Sequence, residues 1–209
     1  MRTERKILLT GFEPFGGNDV NPSILACRIL EGKVFHGFTV VVEEIPLRYR
    51  EIRGTIEGLI ERHGPAAVVC TGQSGRAFIA LERVAINVAN ARIPYNCGAK
   101  PRDECLRSDG PAAYFTGLPL RRLLDGLREA KIPTEISNSA GTFGCNQIFY
   151  HLMDYVERKG LDLPVGFIHV PPLPEQVVEK GAPSMTVELI STALEKVVHM
   201  LTAQLYAET

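Results

Sequence analysis

Cys145 is the residue of this sequence best placed for nucleophilic chemistry. It follows the small-residue segment SNSAGTFG and begins an amphipathic segment that predicts a helix. Backbone N–H groups at the start of a helix favour a thiolate, and they can stabilise the oxyanion formed when a thiolate attacks a carbonyl. The alternative interpretation is structural, since Cys145 also extends the apolar stripe of Ile148 and Phe149.

A histidine and a glutamate could supply the partners that a catalytic thiol needs. His169 ends the predicted strand GFIHV and can take a proton from a thiol and later give one to a leaving amine. Glu82, where a strand is predicted to begin after the segment GQSGR, can orient the imidazole. Taken alone, His169 is more typical of a hydrogen-bonded histidine at a strand end, and Glu82 of a solvated carboxylate beside Arg83.

Strands and helices alternate along the chain in the order that a parallel sheet requires. Short apolar or β-branched runs predict strands at 6–10, 39–45, 66–71, 82–88, 134–137 and 165–170. Asn21 and Pro22 predict the start of a helix, and apolar stripes predict others at 48–63, 119–131, 145–159 and 184–207. The alternation predicts an α/β fold, a three-layer arrangement in which a mostly parallel, twisted sheet has helices on both faces.

The loops of such a fold decide where the chemistry takes place. Loops that follow parallel strands lie at one edge of the sheet, where open α/β folds bind ligands. We therefore expect Cys145, His169 and Glu82 to meet at that edge. Residues 89–117 are polar and rich in turn residues, and they predict a long irregular excursion or lid.

Two glycine-containing loops follow predicted strands, GFEPFGG and TGQSGR. Neither matches the glycine patterns that bind dinucleotides or nucleoside triphosphates. The first loop carries Phe12 and Phe15, which are typical of an apolar pocket for a flat ring with a few amide groups. The alternative is that both phenylalanines are core residues.

Composition and charge exclude several classes of protein. The 209 residues are 45% hydrophobic and 22% charged, which fits one globular domain spanning 1–209 and excludes disordered and collagen-like chains. A net charge of -1 without a basic cluster argues against a nucleic-acid partner. The apolar runs are too short for a membrane span, and the N-terminal residues do not resemble a signal peptide.

The cysteines indicate a reduced, cytoplasmic protein. There are five, an odd number, and they are widely spaced without a C-x-x-C pair. Cys27 and Cys70 are expected in the core, whereas Cys97 and Cys105 fall in the polar excursion. Neither the cysteines nor the histidines form a metal-binding motif, so no metal or other cofactor is predicted.

Together these motifs resemble those of the pyroglutamyl-peptidase family of the first type, cysteine peptidases that remove N-terminal pyroglutamate. The resemblance is carried by LLTGFEPFGG with the following NPS, by TGQSGR with ERVAIN and ARIP, by DGPAAYFTGLP, by SNSAGTFGCNQIFYHLM and by IHVPPLPEQ. It covers nearly the whole chain in order. It implies a phosphorylase- or hydrolase-like α/β fold and a triad of Cys145, His169 and Glu82, which works through a thioester without a cofactor.

The resemblance also implies the residues that bind substrate. Phe12 and Phe15 correspond to aromatic walls around the pyrrolidone ring, and Phe143 to a third wall. Arg92 corresponds to an arginine that helps bind or polarise the scissile carbonyl, and Gln73 to a polar contact. The partners implied are peptides with N-terminal pyroglutamate and further copies of the chain, in a homodimer or homotetramer.

Three features depart from the family pattern. GQSGR is shorter than the usual GQAGGR-like stretch, so Glu82 follows Gln73 one residue early. Gly144 and Gln147 stand where a larger apolar residue and often a histidine are usual, and Gly144 is expected to widen the substrate pocket.

Three alternative functions follow from these observations. The first is a lactam- or peptide-binding homologue with little or no activity. The second is a thiol hydrolase of a related cyclic amide, and the third is a nucleoside phosphorylase-type enzyme. The intact triad argues against the first. Gly144 motivates the second. The third lacks an arginine-rich phosphate loop.

Overall fold

The fold is organised around a mostly parallel β-sheet. The computed structural model describes residues 5–207. The strands in this part of the chain are β1 (Arg5–Phe12), β2 (Val34–Phe35), β3 (Phe38–Ile45), β4 (Ala67–Gln73), β5 (Ile79–Glu82), β6 (Val84–Ile86), β7 (Ala113–Phe115), β8 (Thr134–Ser137) and β9 (Val165–Val170). Seven of them form one sheet in the order β2-β3-β1-β4-β9-β5-β8, and β6 pairs with β7 separately.

The strand directions divide the main sheet into two parts. The strands β3, β1, β4 and β9 run parallel to one another, and the short β2 is antiparallel to β3. The strand β5 pairs antiparallel with β9 and parallel with β8. The predicted mostly parallel sheet is therefore confirmed, and the reversal at β5 is a feature that the sequence pattern did not indicate.

Helices cover both faces of the sheet. They are α1 (Pro22–Arg28), α2 (Ile52–His63), α3 (Leu120–Glu129), α4 (Gly144–Lys159) and α5 (Val187–Ala207). In β1, Ile7 and Leu9 join a buried cluster with α1, α3 and α5, whereas Leu8 faces a second cluster with α2 and α4. This alternation gives the predicted three layers. Across residues 5–207, no helix has both the length and the apolar character needed to cross a membrane.

The start of α1 fixes the loop that follows β1. The Asn21 side chain accepts a hydrogen bond from Ser23 N at 3.1 Å, and Pro22 occupies the first helical position, as predicted. Ser23 Oγ in turn accepts a hydrogen bond from Phe12 N at 3.1 Å. Gly11 lies against α1 so closely that a Cβ there would overlap the backbone of Ile24. The segment GFEPFGG therefore leaves the sheet in one defined direction.

The segment around Glu82 differs from its prediction. We expected one extended segment at 82–88 with Glu82 at its start, but Glu82 is the last residue of β5 and is fully buried. The adjacent charges of Glu82 and Arg83 suggested a surface boundary before a strand. The strand instead comprises Glu82 and the apolar residues before it, and the single residue Arg83 separates it from β6.

Residues 89–117 are ordered mainly by packing on the rest of the domain. Tyr95 and Tyr114 are buried, and β7 at the end of the segment pairs with β6. The Asn96 side chain donates hydrogen bonds to Glu13 Oε1 at 2.7 Å and to Pro14 O at 2.9 Å. The predicted irregular excursion is thus present, and it is attached to the GFEPFGG loop.

Asp154 of α4 anchors the other end of this excursion. Its buried carboxylate accepts hydrogen bonds from Arg107, from Tyr114 at 2.8 Å and from Arg158 at 2.9 Å. Burial alone would raise the pKa of Asp154, but the hydrogen bonds from its donors outweigh that effect and lower the pKa. The carboxylate therefore stays ionised and ties the excursion to the helix that carries Cys145.

Asp154→Asn should lower the free energy of unfolding by about 3 kcal/mol, because it leaves Arg107 and Arg158 without their buried counter-charge. Urea denaturation at neutral pH measures the effect. Asp109→Asn is the matched control, since Asp109 binds the same Arg107 at 2.8 Å but its side chain is 74% exposed. It should cost less than about 1 kcal/mol. Equal losses in the two variants would contradict the anchoring role.

Candidate active site

Cys145 lies in the first turn of α4, at the floor of an open cleft. In the described chain no side chain caps the start of α4, so its first N–H groups remain to bind a ligand beside the thiol. A Cβ added at Gly72 of β4 would lie 2.7 Å from Cys145 Sγ. The glycine therefore leaves the space that the thiol occupies next to the sheet.

His169 and Glu82 meet across the antiparallel pair formed by β5 and β9. In the register His169 lies opposite Ala80, so Glu82, two residues further on, points to the same face of the sheet. His169 Nδ1 lies 2.7 Å from Glu82 Oε1, and both side chains are buried. The other ring nitrogen, Nε2, is thereby left for Cys145, which lines the same cleft and helps to raise the pKa of His169.

The contacts of His169 favour its protonated form. Burial lowers the pKa of His169, but Cys145 and Glu82 outweigh burial and raise it to about 9. An imidazolium next to a thiol stabilises the thiolate, which is the nucleophilic form. The imidazole of His169 thus contacts Glu82 and interacts electrostatically with Cys145, although Glu82 comes from a strand of opposite direction rather than from an edge loop.

A fourth charged residue, Arg76, belongs to this group and was missed from the sequence. Its Nη1 donates a hydrogen bond to Glu82 Oε1 at 2.8 Å, and its Nη2 donates to Ser139 O at 3.0 Å. The only signal in the sequence was an arginine at the end of GQSGR, six residues before Glu82. Loop arginines are common, so nothing in the pattern distinguished this one.

The cleft beside the thiol has a volume of about 450 Å³. Four residues predicted to bind substrate line it together with Cys145 and His169, namely Phe15, Gln73, Arg92 and Phe143. The Phe143 ring packs against Phe15 with a centroid distance of 6.2 Å and against the buried Tyr95 at 4.4 Å. The cleft lining therefore combines an aromatic wall, formed by Phe15 and Phe143, with polar side chains.

Phe12 lies elsewhere. Its side chain is only 2% exposed and belongs to the core cluster between the sheet and α4, and it is not among the residues that line the cleft. It occupies the face of β1 that also carries Leu8, so the alternation of the strand turns it inward. The core alternative therefore describes its position, and a direct contact with a substrate ring stays a prediction.

Metal ligands are not grouped in this region. Within residues 5–207, histidine, cysteine, aspartate and glutamate side chains do not come together in threes at a spacing that could hold a metal ion. The reactive groups of the cleft are the thiol, the imidazole and the ion pair behind them.

Comparison with known proteins identifies the relatives of this chain. Residues 5–204 match the family model described as pyroglutamyl peptidase. The chain belongs to the pyroglutamyl peptidase family. The pyrrolidone-carboxylate peptidase of Bacillus licheniformis is 46% identical over 91% of this chain and 89% of its own length. That of Bacillus subtilis is 43% identical over 98% of this chain and 94% of its own length.

Solved structures of the pyroglutamyl peptidase family share the fold. The crystal structure of pyroglutamyl peptidase I from Bacillus amyloliquefaciens superposes with a TM-score of 0.92 at 42% identity and covers 96% of each chain. A mutant pyrrolidone carboxyl peptidase from the hyperthermophile Pyrococcus furiosus gives a TM-score of 0.92 at 35% identity, over 96% of this chain and 99% of its own. The α/β architecture described above is thus that of the family.

Gly144, which the resemblance led us to expect would widen the cleft, does not do so. A Cβ at Gly144 would overlap Leu47 Cδ1, and Leu47 is buried with 2% exposure. Gly144 itself is buried and is not among the cleft-lining residues. The space left by the missing side chain is therefore filled from the neighbouring loop, and the expectation was wrong because the sequence does not show which residue packs against the helix start.

The other two departures also leave the cleft intact. Gln147 is buried and donates a hydrogen bond to Tyr49 O at 2.6 Å, so it supports the loop before α2 rather than the cleft. The short GQSGR loop still places Glu82 Oε1 at 2.7 Å from His169 Nδ1.

Gly144→Val should lower the free energy of unfolding by about 2 kcal/mol, because the added side chain has to displace the buried Leu47. Adding Leu47→Val should recover more than half of this loss, since it frees the space. Chemical denaturation of both single variants and the double variant measures the coupling. Strictly additive losses would show that the two side chains do not compete for one space.

The rate constant kcat/KM should fall as pH rises through about 9, where His169 loses its proton. Glu82→Gln removes the negative charge that stabilises the imidazolium, so this alkaline midpoint should move down by about one pH unit. Glu135→Gln on the exposed side of β8 is the control and should leave the midpoint in place. A pH–rate profile of each variant measures the midpoint. An unchanged midpoint in Glu82→Gln would show that the Glu82 charge does not raise the pKa of His169.

Proposed function

We propose that this protein removes an N-terminal pyroglutamyl residue from peptides by acyl transfer to Cys145. The observation that carries the proposal is the connected arrangement of Cys145, His169 and Glu82 beside a cleft with an aromatic wall. Membership of the pyroglutamyl peptidase family supports the same reaction.

The reaction follows from the positions of the three groups. The thiolate of Cys145 attacks the carbonyl carbon of the peptide bond that follows the pyroglutamyl residue, and the first N–H groups of α4 stabilise the resulting oxyanion. His169 then gives its proton to the departing amine, the C–N bond breaks and a thioester remains. Water then attacks the thioester while His169 takes a proton from the water, and the sulfur of Cys145 leaves as the thiolate. Pyroglutamate is released and the starting protonation state is restored.

The cleft is suited to an uncharged ring rather than to a free N-terminus. Its charged lining residues are Arg76 and Arg92 alongside His169, and no aspartate or glutamate is among its described lining residues. An ammonium group would therefore enter beside cationic side chains and find no carboxylate to pair with it. A lactam has no such charge, so Phe15 and Phe143 can pack on the ring while the Gln73 side chain forms hydrogen bonds with the N–H and C=O of the lactam.

Two alternatives are less well supported. A binding protein without activity has no need of a cysteine, a buried histidine and a buried glutamate placed together so that the pKa of the histidine is raised. A hydrolase of a related cyclic amide was motivated by Gly144, but Leu47 fills that space and leaves no enlarged pocket.

We also propose that the chain works in the cytoplasm as a homodimer or homotetramer. All five cysteines are free, and Cys97 and Cys105 are exposed, as suits a reducing compartment. The proposal of self-association rests on the resemblance to the family.

Release of a fluorescent amine from a pyroglutamyl conjugate tests the reaction. Wild-type protein should release the amine and should ignore the matching prolyl conjugate, while Cys145→Ala should lose at least about 1,000-fold in kcat. Cys105→Ala, which removes an exposed cysteine, should keep full activity. Activity that persists in Cys145→Ala, or no release by folded, reduced wild-type protein, would disprove the proposal.

A further inference from the structure

Glu82 has two cationic partners on the same oxygen. Oε1 accepts hydrogen bonds from His169 Nδ1 at 2.7 Å and from Arg76 Nη1 at 2.8 Å. Oε2 is buried and has no hydrogen-bond partner in the described chain. Glu82 is completely buried, whereas the Arg76 side chain is 33% exposed and lines the cleft. The carboxylate thus depends on these two donors for its charge balance.

The two partners differ in how long they hold their charge. In the reaction proposed above, His169 gives up its proton to the leaving amine in every turnover. A guanidinium does not lose its proton at any working pH. While the imidazole is neutral, Arg76 is therefore the cation that remains in contact with the buried carboxylate, which is also the hydrogen-bond partner of His169 Nδ1.

The second arm of the same guanidinium reaches the loop that leads to the nucleophile. Arg76 Nη2 donates to Ser139 O at 3.0 Å, and Ser139 lies six residues before Cys145. The Ser139 loop and the acid of the triad are consequently held by one planar group. A lysine has a single ammonium and cannot reproduce both directed contacts in this geometry.

We propose that Arg76 is a positioning residue for catalysis, which keeps a fixed positive charge beside Glu82 throughout turnover and thereby sets the pH range of activity. This inference rests on the proposed function. The charged and titratable groups that face His169 are Glu82 from β5, Cys145 from α4 and, through Glu82, Arg76 from the loop between β4 and β5, with Arg92 on the cleft wall.

Loss of a fixed positive charge makes protons bind more tightly to every nearby group. Both the acid and the alkaline midpoints of the kcat/KM profile should therefore move to higher pH in Arg76→Gln, by about one pH unit. Arg76 also holds the geometry, so kcat should fall at least about 10-fold while KM changes less. Arg76→Lys should keep the wild-type midpoints but lose part of kcat.

Arg83→Gln is the matched control. The Arg83 side chain donates to Asn138 Oδ1 at 2.9 Å, one residue from Ser139, and among the described residues it forms no ion pair with the Glu82 carboxylate. It should leave both midpoints and kcat unchanged. A purely structural role of Arg76 would lower the fraction of active molecules, counted by titration of the thiol, without moving the midpoints.

Alkylation of Cys145 by iodoacetamide tests the inference without a substrate. The rate, followed by the mass of the peptide that contains Cys145, rises with pH as the thiolate forms, and its midpoint should be higher in Arg76→Gln than in wild-type protein. An equal midpoint in both would overturn the inference. If wild-type protein cleaves no pyroglutamyl substrate, the proposed function fails, but this measurement still decides the role of Arg76. If Arg76→Gln does not fold, Arg76→Lys provides the test, because it keeps the positive charge and should therefore keep the wild-type midpoints. Displaced midpoints in Arg76→Lys would overturn the electrostatic role of Arg76.

Discussion

The buried charge of Glu82 is the constraint on which this site depends. An ionised carboxylate removed from water is costly unless cations and hydrogen bonds compensate for it. Here the compensation comes from His169 and Arg76, which belong to different parts of the chain. Their contacts fix the angle of the imidazole toward Cys145 and hold the loop before α4 in place. The buried carboxylate of Glu82, which does not line the cleft, thus helps to fix the geometry around the reactive thiol.

The catalytic residues and the residues that line the cleft lie on different kinds of structural element. Glu82 and His169 are held within paired strands and Cys145 in a helix, so all three lie on rigid elements. The cleft walls are loops, which contribute Phe15, Arg92 and other residues. Such a division allows loop residues to change the fit of the ring without disturbing proton transfer.

Much of this arrangement could be predicted from local sequence patterns. The Asn21 cap, the helix stripes and the central strands each depend on neighbouring residues, so periodicity indicates them. The direction of β5 depends on pairing with a strand about 90 residues away in sequence, which no local pattern records. For the same reason the filling of space at Gly144 and the bond from Arg76 to Glu82 were beyond sequence reasoning, whereas the core position of Phe12 was one of two alternatives that the sequence left open.

The place of β9 in the sheet bears on how the molecule acquires its reactivity. This strand, which carries His169, lies between β4 and β5, although both precede it by many residues in the chain. A chain made from its N-terminus exposes Cys145 before the base that activates it has been synthesised. Pairing of β9 with β4 and β5 both joins the two parts of the sheet and brings His169 to the site of Cys145. An incomplete chain holds the nucleophile without its base, so the growing polypeptide is not a protease until its fold is nearly finished.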